Sequence, residues 1–201
     1  MTRLDVRGFA IFKNALSPQA QEGIVAALRD VLRAAPLFRP LTPSGKPMSV
    51  RMTSAGCCGW VSDKARGYRY DTLHPSGAPW PDIPECILEI WRSHVGRDRL
   101  PDCCLINFYG PETKMGLHQD KDEADFSWPV LSVSLGDDAL FRMGGQNRRD
   151  GTESIWLGSG DVVVMGGEAR LAFHGIDRIR HGTSRLLPKG GRINLTMRVV
   201  D

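Results

Sequence analysis

A histidine and a carboxylate two positions apart give the clearest indication of chemistry in this sequence. They are His118 and Asp120, and in an extended segment residues i and i+2 point to the same side. An imidazole and a carboxylate can therefore hold one metal ion together. We expect the third ligand to be His174, within the apolar run LAFHGI. Two histidines and one carboxylate form the facial triad of non-haem iron(II) oxygenases, which leaves the other face of the metal open.

Each of these residues also has a structural interpretation. A His-x-Asp pair occurs by chance in many proteins, and His174 on an apolar strand is also compatible with a hydrogen-bonded core histidine. The remaining histidines, His74, His94 and His181, fall in loops or at helix ends, where we expect them to be solvated.

Polar and apolar residues alternate along the last apolar run of the chain. In RINLTMR, the residues Arg192, Asn194, Thr196 and Arg198 share one face of an extended strand. Guanidinium groups that face a barrel interior are costly unless they meet anions, and their planar fork matches a carboxylate. A dicarboxylate ligand would satisfy both arginines. The alternative is a strand whose polar side faces water, which is common in antiparallel sheets.

Two helices and a series of short strands must position these residues. FAIFK at 9–13 is predicted to be a strand. Ser17-Pro18 opens a helix that ends at Pro36, because serine caps helices and proline suits their first turn. A second helix is predicted at about 84–94. Between these helices the periodicity is weak, and short strands are predicted only near 48–53 and 68–70.

From Cys103 onward, short apolar runs follow one another with Gly, Asp, Asn and Pro between them. These runs are CCLINFY, VLSVSLG, ALFRM, SIWLG, DVVVMG, LAFHGI and RINLTMRVV. Their spacing predicts an antiparallel β-sandwich or barrel, braced on one face by the two helices. In CCLINFY, Asn107 and Tyr109 share a face and can offer hydrogen bonds to the ligand of the arginines.

The composition limits the class of protein. The chain has 201 residues and a net charge of +3, which suits one domain and permits nucleic-acid binding without demanding it. The sequence has no apolar run of membrane-spanning length and no secretory signal, so we expect a cytoplasmic protein without a membrane segment. Its five cysteines lack the CxxC spacing of zinc ribbons and thioredoxins. We expect them to be buried or half-buried reduced thiols.

The combination of these motifs resembles the AlkB family of iron(II)- and 2-oxoglutarate-dependent dealkylating dioxygenases. HQD, a distant histidine and R-x-N-x-T-x-R occur in the order of that family, and the resemblance extends from about residue 9 to 199. It implies an α+β, mainly β fold in one domain of residues 1–201. The core, at about 103–200, would be a double-stranded β-helix (jelly-roll) braced by the N-terminal helices. A nucleotide-recognition lid is implied at about 36–81.

The resemblance implies a set of residues for each component of the reaction. The iron(II) ligands would be His118, Asp120 and His174. The residues that bind the cosubstrate 2-oxoglutarate would be Asn107, Tyr109, Arg192, Asn194 and Arg198. Of these, Arg192 and Tyr109 are expected at the distal carboxylate and the others nearer the iron, where O2 also binds.

The resemblance also implies a pocket for a damaged base. The pocket residues would be Met52, Trp60, Tyr68, Tyr70, Asp122, Glu123 and Arg148. Trp60 would stack on the base, the usual way to hold an extruded base, and Asp122 would attract a base made cationic by methylation. The competing interpretations are a core aromatic for Trp60 and solvated charges for Asp122, Glu123 and Arg148. Phosphate contacts would come from scattered basic residues, namely Lys121, Arg148, Arg149, Arg170 and Arg178.

The implied activity is direct-reversal DNA repair by oxidative demethylation of 1-methyladenine and 3-methylcytosine, which releases formaldehyde, succinate and CO2. The partner would be alkylated DNA, single-stranded or with the base flipped out, and the protein would be a monomer. A dioxygenase that acts on RNA, protein or a small molecule is an alternative. A non-catalytic jelly-roll module and a zinc hydrolase are further alternatives, but neither explains the triad together with both arginines. Phe108 departs from the bacterial family pattern but faces away from the cosubstrate side, so we expect catalysis to be retained. Cys57-Cys58 in the lid also depart from that pattern, which bears on substrate preference rather than on reaction type.

Overall fold

A computed structural model gives the fold of residues 1–42, 44–96, 98–110 and 112–201. Its strands are β1 Thr2–Val6, β2 Phe9–Lys13, β3 Arg51–Gly56, β4 Gly59–Asp63, β5 Gly67–Asp71, β6 Cys103–Tyr109, β7 Met115–His118, β8 Val130–Gly136, β9 Asp138–Met143, β10 Glu153–Leu157, β11 Val162–Met165, β12 His174–Arg180 and β13 Arg192–Arg198. The helices are α1 Pro18–Ala34 and α2 Glu85–Val95, with a 3-10 turn at Gly167–Ala169. Within the described residues, no helix is both long and apolar enough to cross a membrane.

Two antiparallel sheets form the body of the fold. The larger has the strand order β1-β2-β11-β8-β13-β6-β3, and the smaller has the order β10-β9-β12-β7. Apolar side chains of both sheets meet in one buried cluster, for example Ile11 and Val163 of the larger sheet with Phe141 and Ile176 of the smaller. The predicted jelly-roll core, mainly β and preceded by helices, is confirmed.

Strand β13 lies inside the larger sheet and is buried on both faces. It pairs with β8 on one side and with β6 on the other. Its apolar residues Ile193, Leu195 and Met197 pack with residues of the two helices, such as Leu28 and Trp91. Its polar residues are buried as well, so they face the space between the sheets. The alternative of a strand whose polar side faces water is therefore wrong, and the predicted bracing by the helices is confirmed.

Both helices lie close to the predicted ranges. The Ser17 hydroxyl accepts a hydrogen bond from the Ala20 amide (3.2 Å), and Pro18 is the first residue of α1, as expected for a capping serine and an N-terminal proline. This helix ends at Ala34, just before the predicted end. Helix α2 starts and ends one residue later than predicted, and Gly96 follows it with a φ of 63°, a left-handed conformation that glycine adopts readily.

Strands β4 and β5 form a separate hairpin within the predicted lid. The sequence predicted the second of these strands and missed the first. Gly59, which opens β4, lies against Trp80: a Cβ at Gly59 would be 2.3 Å from the indole ring. Trp80 Nε1 also donates to the carbonyl oxygen of Asp71, at the end of β5 (2.9 Å). The buried tryptophan therefore packs on the open end of the hairpin, where the start of β4 pairs with the end of β5.

Two elements of the larger sheet differ from the sequence-based expectation. Strand β1 is not predicted, because its residues are almost all exposed and show no apolar alternation. It lies at the edge of the sheet against β2, and Arg3 and Asp5 form an exposed ion pair on it (2.8 Å). Strand β3 is displaced by three residues from the predicted 48–53, because small polar residues such as Thr53 and Ser54 are buried in it.

The prediction of a solvated ring is wrong for His74. This side chain is buried, with Nε2 3.0 Å from the Pro36 carbonyl oxygen and Nδ1 2.8 Å from Ser76 Oγ. His94 is half-buried, with Nδ1 against the Ile90 carbonyl oxygen (2.9 Å). His181 is exposed, as predicted.

All five cysteines are free thiols, as predicted. Cys103 and Cys104 are buried in β6, and Cys58 and Cys86 are half-buried. Cys57 departs from the prediction because it is exposed, in the turn between β3 and β4.

The packing of α2 leads to a test of stability. Trp91 is fully buried, and its Nε1 donates to the Arg99 carbonyl oxygen (2.9 Å). We expect Trp91→Ala to lower the free energy of unfolding by about 3–5 kcal/mol, because it leaves a cavity under the helix. Urea unfolding followed by circular dichroism measures the change. Leu73→Ala, at a side chain that is 48% exposed, is the control, with an expected change below about 0.5 kcal/mol. Equal effects of the two substitutions would contradict the packing described here.

Candidate active site

The three predicted metal ligands meet where β7 ends and β12 begins. His118 is the last residue of β7, His174 is the first of β12, and the two are paired across the strands. His118 Nε2 is 3.7 Å from Asp120 Oδ1, and His174 Nε2 is 3.8 Å from Asp120 Oδ2. One ligand atom of each residue lies within 4.8 Å of the others. The group has the residue types and the spacing to hold one metal ion from one side.

Main-chain carbonyl groups hold both histidine rings in a ligating orientation. His118 Nδ1 lies 2.9 Å from the Gly116 carbonyl oxygen, and His174 Nδ1 lies 3.0 Å from that of Ala172. Because a carbonyl oxygen only accepts, Nδ1 carries the proton and Nε2 keeps its lone pair for a metal. Burial and the neighbouring His118 lower the pKa of His174 to about 4, so this ring is neutral at pH 7.

Asp120 is ionised although it is buried. Burial by itself raises the pKa of its carboxyl group, but Arg198 and the two histidines outweigh burial and hold the pKa below its ordinary value. Arg198 Nη2 is 2.9 Å from Asp120 Oδ2, and Arg198 Nε is 3.4 Å from Glu123 Oε1. The carboxylate can therefore bind a cation without first losing a proton.

A cavity of about 620 Å³ extends from the metal group into the space between the sheets. Every predicted site residue except Tyr70 lines it, and Tyr70 lines a neighbouring groove. Sites for small molecules commonly have volumes of roughly 300–1,000 Å³. The structure therefore brings the predicted metal, cosubstrate and base residues to one cavity of suitable size.

Arg192 has no carboxylate partner among the described residues. It is fully buried, its Nη2 donates to Ser134 Oγ (2.8 Å), and its Nε has no hydrogen-bond partner in the described part of the chain. Burial lowers the pKa of Arg192 to about 10. Asn107 Oδ1 is also buried without a partner there. A buried charge without a counter-ion is costly, so this lining fits a ligand that brings a carboxylate.

Aromatic and charged residues from three segments surround another part of the cavity. The Trp60 ring stacks on Tyr68 with centroids 5.3 Å apart and an interplanar angle of 21°. Trp60 Nε1 donates to Asp122 Oδ2 (2.8 Å), and Arg148 donates to the Leu117 carbonyl oxygen (3.0 Å). Because Trp60 is half-buried and Tyr68 is exposed, neither ring belongs to the closed core. A flat ligand can reach them.

The predicted phosphate contact is wrong for Arg170. This side chain is buried, with 4% of the residue exposed. It donates to the carbonyl oxygens of Asp120 (2.6 Å) and Trp128 (2.8 Å) and to Glu123 Oε2 (2.9 Å). The other four predicted phosphate contacts are exposed, namely Lys121, Arg148, Arg149 and Arg178.

Two serines of β8 are part of the cosubstrate side and were not singled out from the sequence. Ser134 Oγ accepts from Arg192, and Ser132 Oγ accepts from Asn194 Nδ2 (2.7 Å). The alternation was visible in VLSVSLG, where two serines stand two positions apart in an apolar run. Residues at i and i+2 of a strand share a face, so these hydroxyl groups follow the polar face of the neighbouring β13.

Comparisons with known proteins agree with this geometry. Residues 8–198 match the family described as the 2OG-Fe(II) oxygenase superfamily. The chain is 53% identical over 194 residues to the alpha-ketoglutarate-dependent dioxygenase AlkB homolog of Caulobacter vibrioides (strain NA1000 / CB15N), covering 96% of this chain and 88% of that protein. It is 39% identical over 194 residues to the alpha-ketoglutarate-dependent dioxygenase AlkB of Escherichia coli (strain K12), covering 94% and 89%. The solved structure of OsALKBH1 is similar, with a TM-score of 0.85, 32% identity and coverage of 98% of this chain and 100% of that chain.

The close approach of β12 to β7 leads to a test of the metal group. A Cβ at Gly175 would lie 2.6 Å from the Met115 carbonyl oxygen and 2.8 Å from that of Gly116. We expect Gly175→Ala to displace β7, and His118 with it, and to weaken Mn(II) binding by about tenfold or more, as when the support of a metal ligand is lost. Calorimetric titration of the metal-free protein measures this.

The matched control for this test is Gly116→Ala in the facing strand. A Cβ at Gly116 meets nothing within 4 Å, so we expect wild-type affinity for Mn(II). The same loss of affinity in both variants would contradict the strand spacing as the cause.

Proposed function

We propose, from the premise that this chain belongs to the 2OG-Fe(II) oxygenase superfamily and within it to the AlkB family, that it demethylates 1-methyladenine and 3-methylcytosine in DNA. The chain is a dioxygenase that depends on iron(II) and 2-oxoglutarate. What we propose beyond this class of enzyme is the substrate, a methylated base in DNA. The observation that carries it is the stacked pair Trp60–Tyr68, held beside Asp122 on the cavity that contains the metal group.

We assign the polar lining of the cavity to the metal and the cosubstrate. When bound, the iron and 2-oxoglutarate supply the oxidation of an N-methyl group by O2, with succinate, CO2 and formaldehyde as products. His118 and His174 offer Nε2, and Asp120 offers a carboxylate oxygen. The distal carboxylate of 2-oxoglutarate is assigned to Arg192 and Tyr109, which pair across β13 and β6. The residues assigned to its iron-proximal end are Asn107, Asn194 and Arg198.

A flat, cationic base suits the other residues of the cavity. Trp60 supplies an aromatic face, and stacking is the usual way to hold an extruded base. Asp122 fixes the indole through Nε1 and places a negative charge beside it. Methylation at N1 of adenine or N3 of cytosine gives the base a positive charge, so this carboxylate favours the damaged base. Tyr70 and Glu123 support the hairpin that carries Trp60, through a hydrogen bond between them (2.5 Å).

The remaining residues of the pocket are assigned to its wall and its opening. Met52 is buried in the wall, and Arg148 is exposed, where a phosphate can reach it. Lys121, Arg149 and Arg178 are also exposed. Phosphate contacts do not read base sequence and weaken with salt, which suits an enzyme directed to lesions. RNA is the alternative nucleic acid, and the monomeric state and the cytoplasmic location stay predictions.

The test of the function is demethylation of a defined oligonucleotide. The protein is loaded anaerobically with iron(II) and 2-oxoglutarate and then receives O2 and a single strand with one 1-methyladenine. We expect formaldehyde and conversion of the modified base to adenine, followed by mass spectrometry. Asp120→Ala should abolish both, because the triad loses its carboxylate.

Parallel reactions with an RNA strand of the same sequence and with an unmodified strand separate the alternatives. Demethylation of the RNA alone would move the substrate from DNA to RNA. Succinate formation that leaves every methylated strand intact would reject the nucleic-acid substrate and leave the dioxygenase assignment in place.

Arg192→Met tests the cosubstrate assignment independently of the substrate. We expect the Kd for 2-oxoglutarate in the Mn(II)-loaded protein to rise by about tenfold to a hundredfold, because a hydrogen bond to a charged group contributes about 1.5–3 kcal/mol. Without 2-oxoglutarate the Tm should not fall, since the substitution removes a buried charge that has no counter-ion among the described residues. Calorimetry and thermal unfolding measure the two quantities. An unchanged Kd with a lowered Tm would assign Arg192 to folding instead.

A further inference from the structure

Arg170 holds both ends of the segment that follows the metal ligand, here called the 120–123 segment. Its Nη1 donates to the carbonyl oxygen of Asp120 (2.6 Å), and its Nη2 donates to Glu123 Oε2 (2.9 Å). Its Nε donates to the Trp128 carbonyl oxygen (2.8 Å). One buried guanidinium therefore fixes the main chain at the ligand, the side chain at the end of the segment and the chain beyond it.

The β4–β5 hairpin contacts the same segment from the other side. Trp60 Nε1 donates to Asp122 Oδ2 (2.8 Å), and the Tyr70 hydroxyl donates to Glu123 Oε1 (2.5 Å). Trp60 and Tyr70 are paired across the two strands of the hairpin. Both strands of the hairpin therefore touch the segment that Arg170 holds.

Glu123 is the residue where the two sides meet. Its side chain is 1% exposed, and it contacts Arg170, Tyr70 and the Nε of Arg198 (3.4 Å). Arg198 in turn contacts Asp120 (2.9 Å). In a buried polar network of this kind, the loss of one partner leaves the others unsatisfied. The position of Glu123 therefore depends on Arg170, and the position of the Tyr70 hydroxyl depends on Glu123 together with Arg198, whose Nη1 donates to that hydroxyl (3.4 Å).

We propose that Arg170 is a positioning residue that couples the β4–β5 hairpin to the metal ligand Asp120. It fixes the ligand through the Asp120 carbonyl group and the hairpin through Glu123 and Tyr70. The hairpin then takes its place over the cavity only when the 120–123 segment is in its metal-binding position. This inference rests on the proposed function for the base that the hairpin covers, whereas the coupling concerns only residues of this chain.

The difference between arginine and lysine as hydrogen-bond donors suggests the variant for the test, Arg170→Lys. The three acceptors of Arg170 lie on three different residues, and a planar fork of five N–H donors can reach all of them at once. Lysine keeps the positive charge near Glu123 but has a single ammonium group. Arg170→Lys therefore retains the charge and removes the joint hold on Asp120 and Glu123.

The experiment is a double-mutant cycle of Arg170→Lys and Tyr70→Phe, which break the connection at its two ends. Hydrogen exchange of the hairpin amides at 59–71 is measured in the metal-free protein, relative to the amides of β13. The Kd for Mn(II) is measured in parallel. Arg29→Lys, at an exposed arginine of α1, controls for the change of residue type.

We expect both single variants to accelerate exchange in the hairpin relative to β13. The double variant should be no faster than the faster single variant, because both substitutions break one connection. Arg170→Lys should also raise the Kd for Mn(II) by about tenfold, as losses of support behind a metal ligand do. Arg29→Lys should change neither quantity.

Two results would overturn the proposal. If the accelerations multiply in the double variant, Arg170 and Tyr70 act independently. If Arg170→Lys accelerates exchange equally in the hairpin and in β13, Arg170 supports folding in general. Should Arg170→Lys fail to fold, Glu123→Gln takes its place in the cycle, because it removes the charge that Arg170 binds and keeps the size of the side chain.

A second readout separates this proposal from the proposed function. In the iron-loaded enzyme, Arg170→Lys should yield less formaldehyde per succinate than the wild type, a ratio that does not depend on the folded fraction. An unchanged ratio would count against the coupling. If the wild type demethylates no oligonucleotide, the proposed function fails, while hydrogen exchange and Mn(II) affinity still decide the role of Arg170.

Discussion

The burial of β13 on both faces is the constraint on which the rest of the site depends. Its apolar residues are covered by α1 and α2, so its two arginines must lie between the sheets, away from water. A guanidinium group in that place needs an anion. Arg198 finds Asp120 and Glu123 within the chain, whereas Arg192 finds no carboxylate among the described residues. One of the two terminal charges of β13 therefore helps to organise the metal group, whereas the other has no counter-ion within the described part of the chain.

The pairing of Arg198 with Asp120 also helps to explain why the three ligands are arranged to bind a metal ion before the ion is present. Arg198 keeps Asp120 ionised, and main-chain carbonyl groups accept from Nδ1 of both histidines, so that Nε2 of each ring points to Asp120. These supports lie in or beside strands: Arg198 ends β13, Gly116 lies within β7, and Ala172 precedes β12 by two residues. The residues toward the proposed base are different, because Trp60 and Tyr68 come from a hairpin outside the two large sheets. The metal group and the residues proposed for the base therefore lie in two parts of the fold, the first within the two large sheets and the second on the β4–β5 hairpin.

The sequence predicted those features whose cause is local. The alternation in β13, the spacing of His118 and Asp120 and the cap at Ser17 each depend on neighbours a few residues away. Strand β4 was missed because it opens with Gly59. This position has no room for a side chain beside Trp80, a residue distant in sequence. His74 and Arg170 were assigned to the surface because polar residues usually lie there. Their burial follows from acceptors such as the Pro36 and Asp120 carbonyl groups, which are 38 and 50 positions away, and no local pattern reveals such partners.

The exposed strand β1 bears on how this protein behaves among many copies of itself. Strand β2 is apolar, with Phe9 and Ile11 fully buried, and β1 covers its free hydrogen-bonding edge. The covering strand is itself polar and carries the Arg3–Asp5 ion pair, and charged edge strands discourage pairing with another chain. Residues 2–6 therefore give the larger sheet a charged outer edge, whereas β2 by itself would present the apolar edge that commonly pairs with strands of other chains.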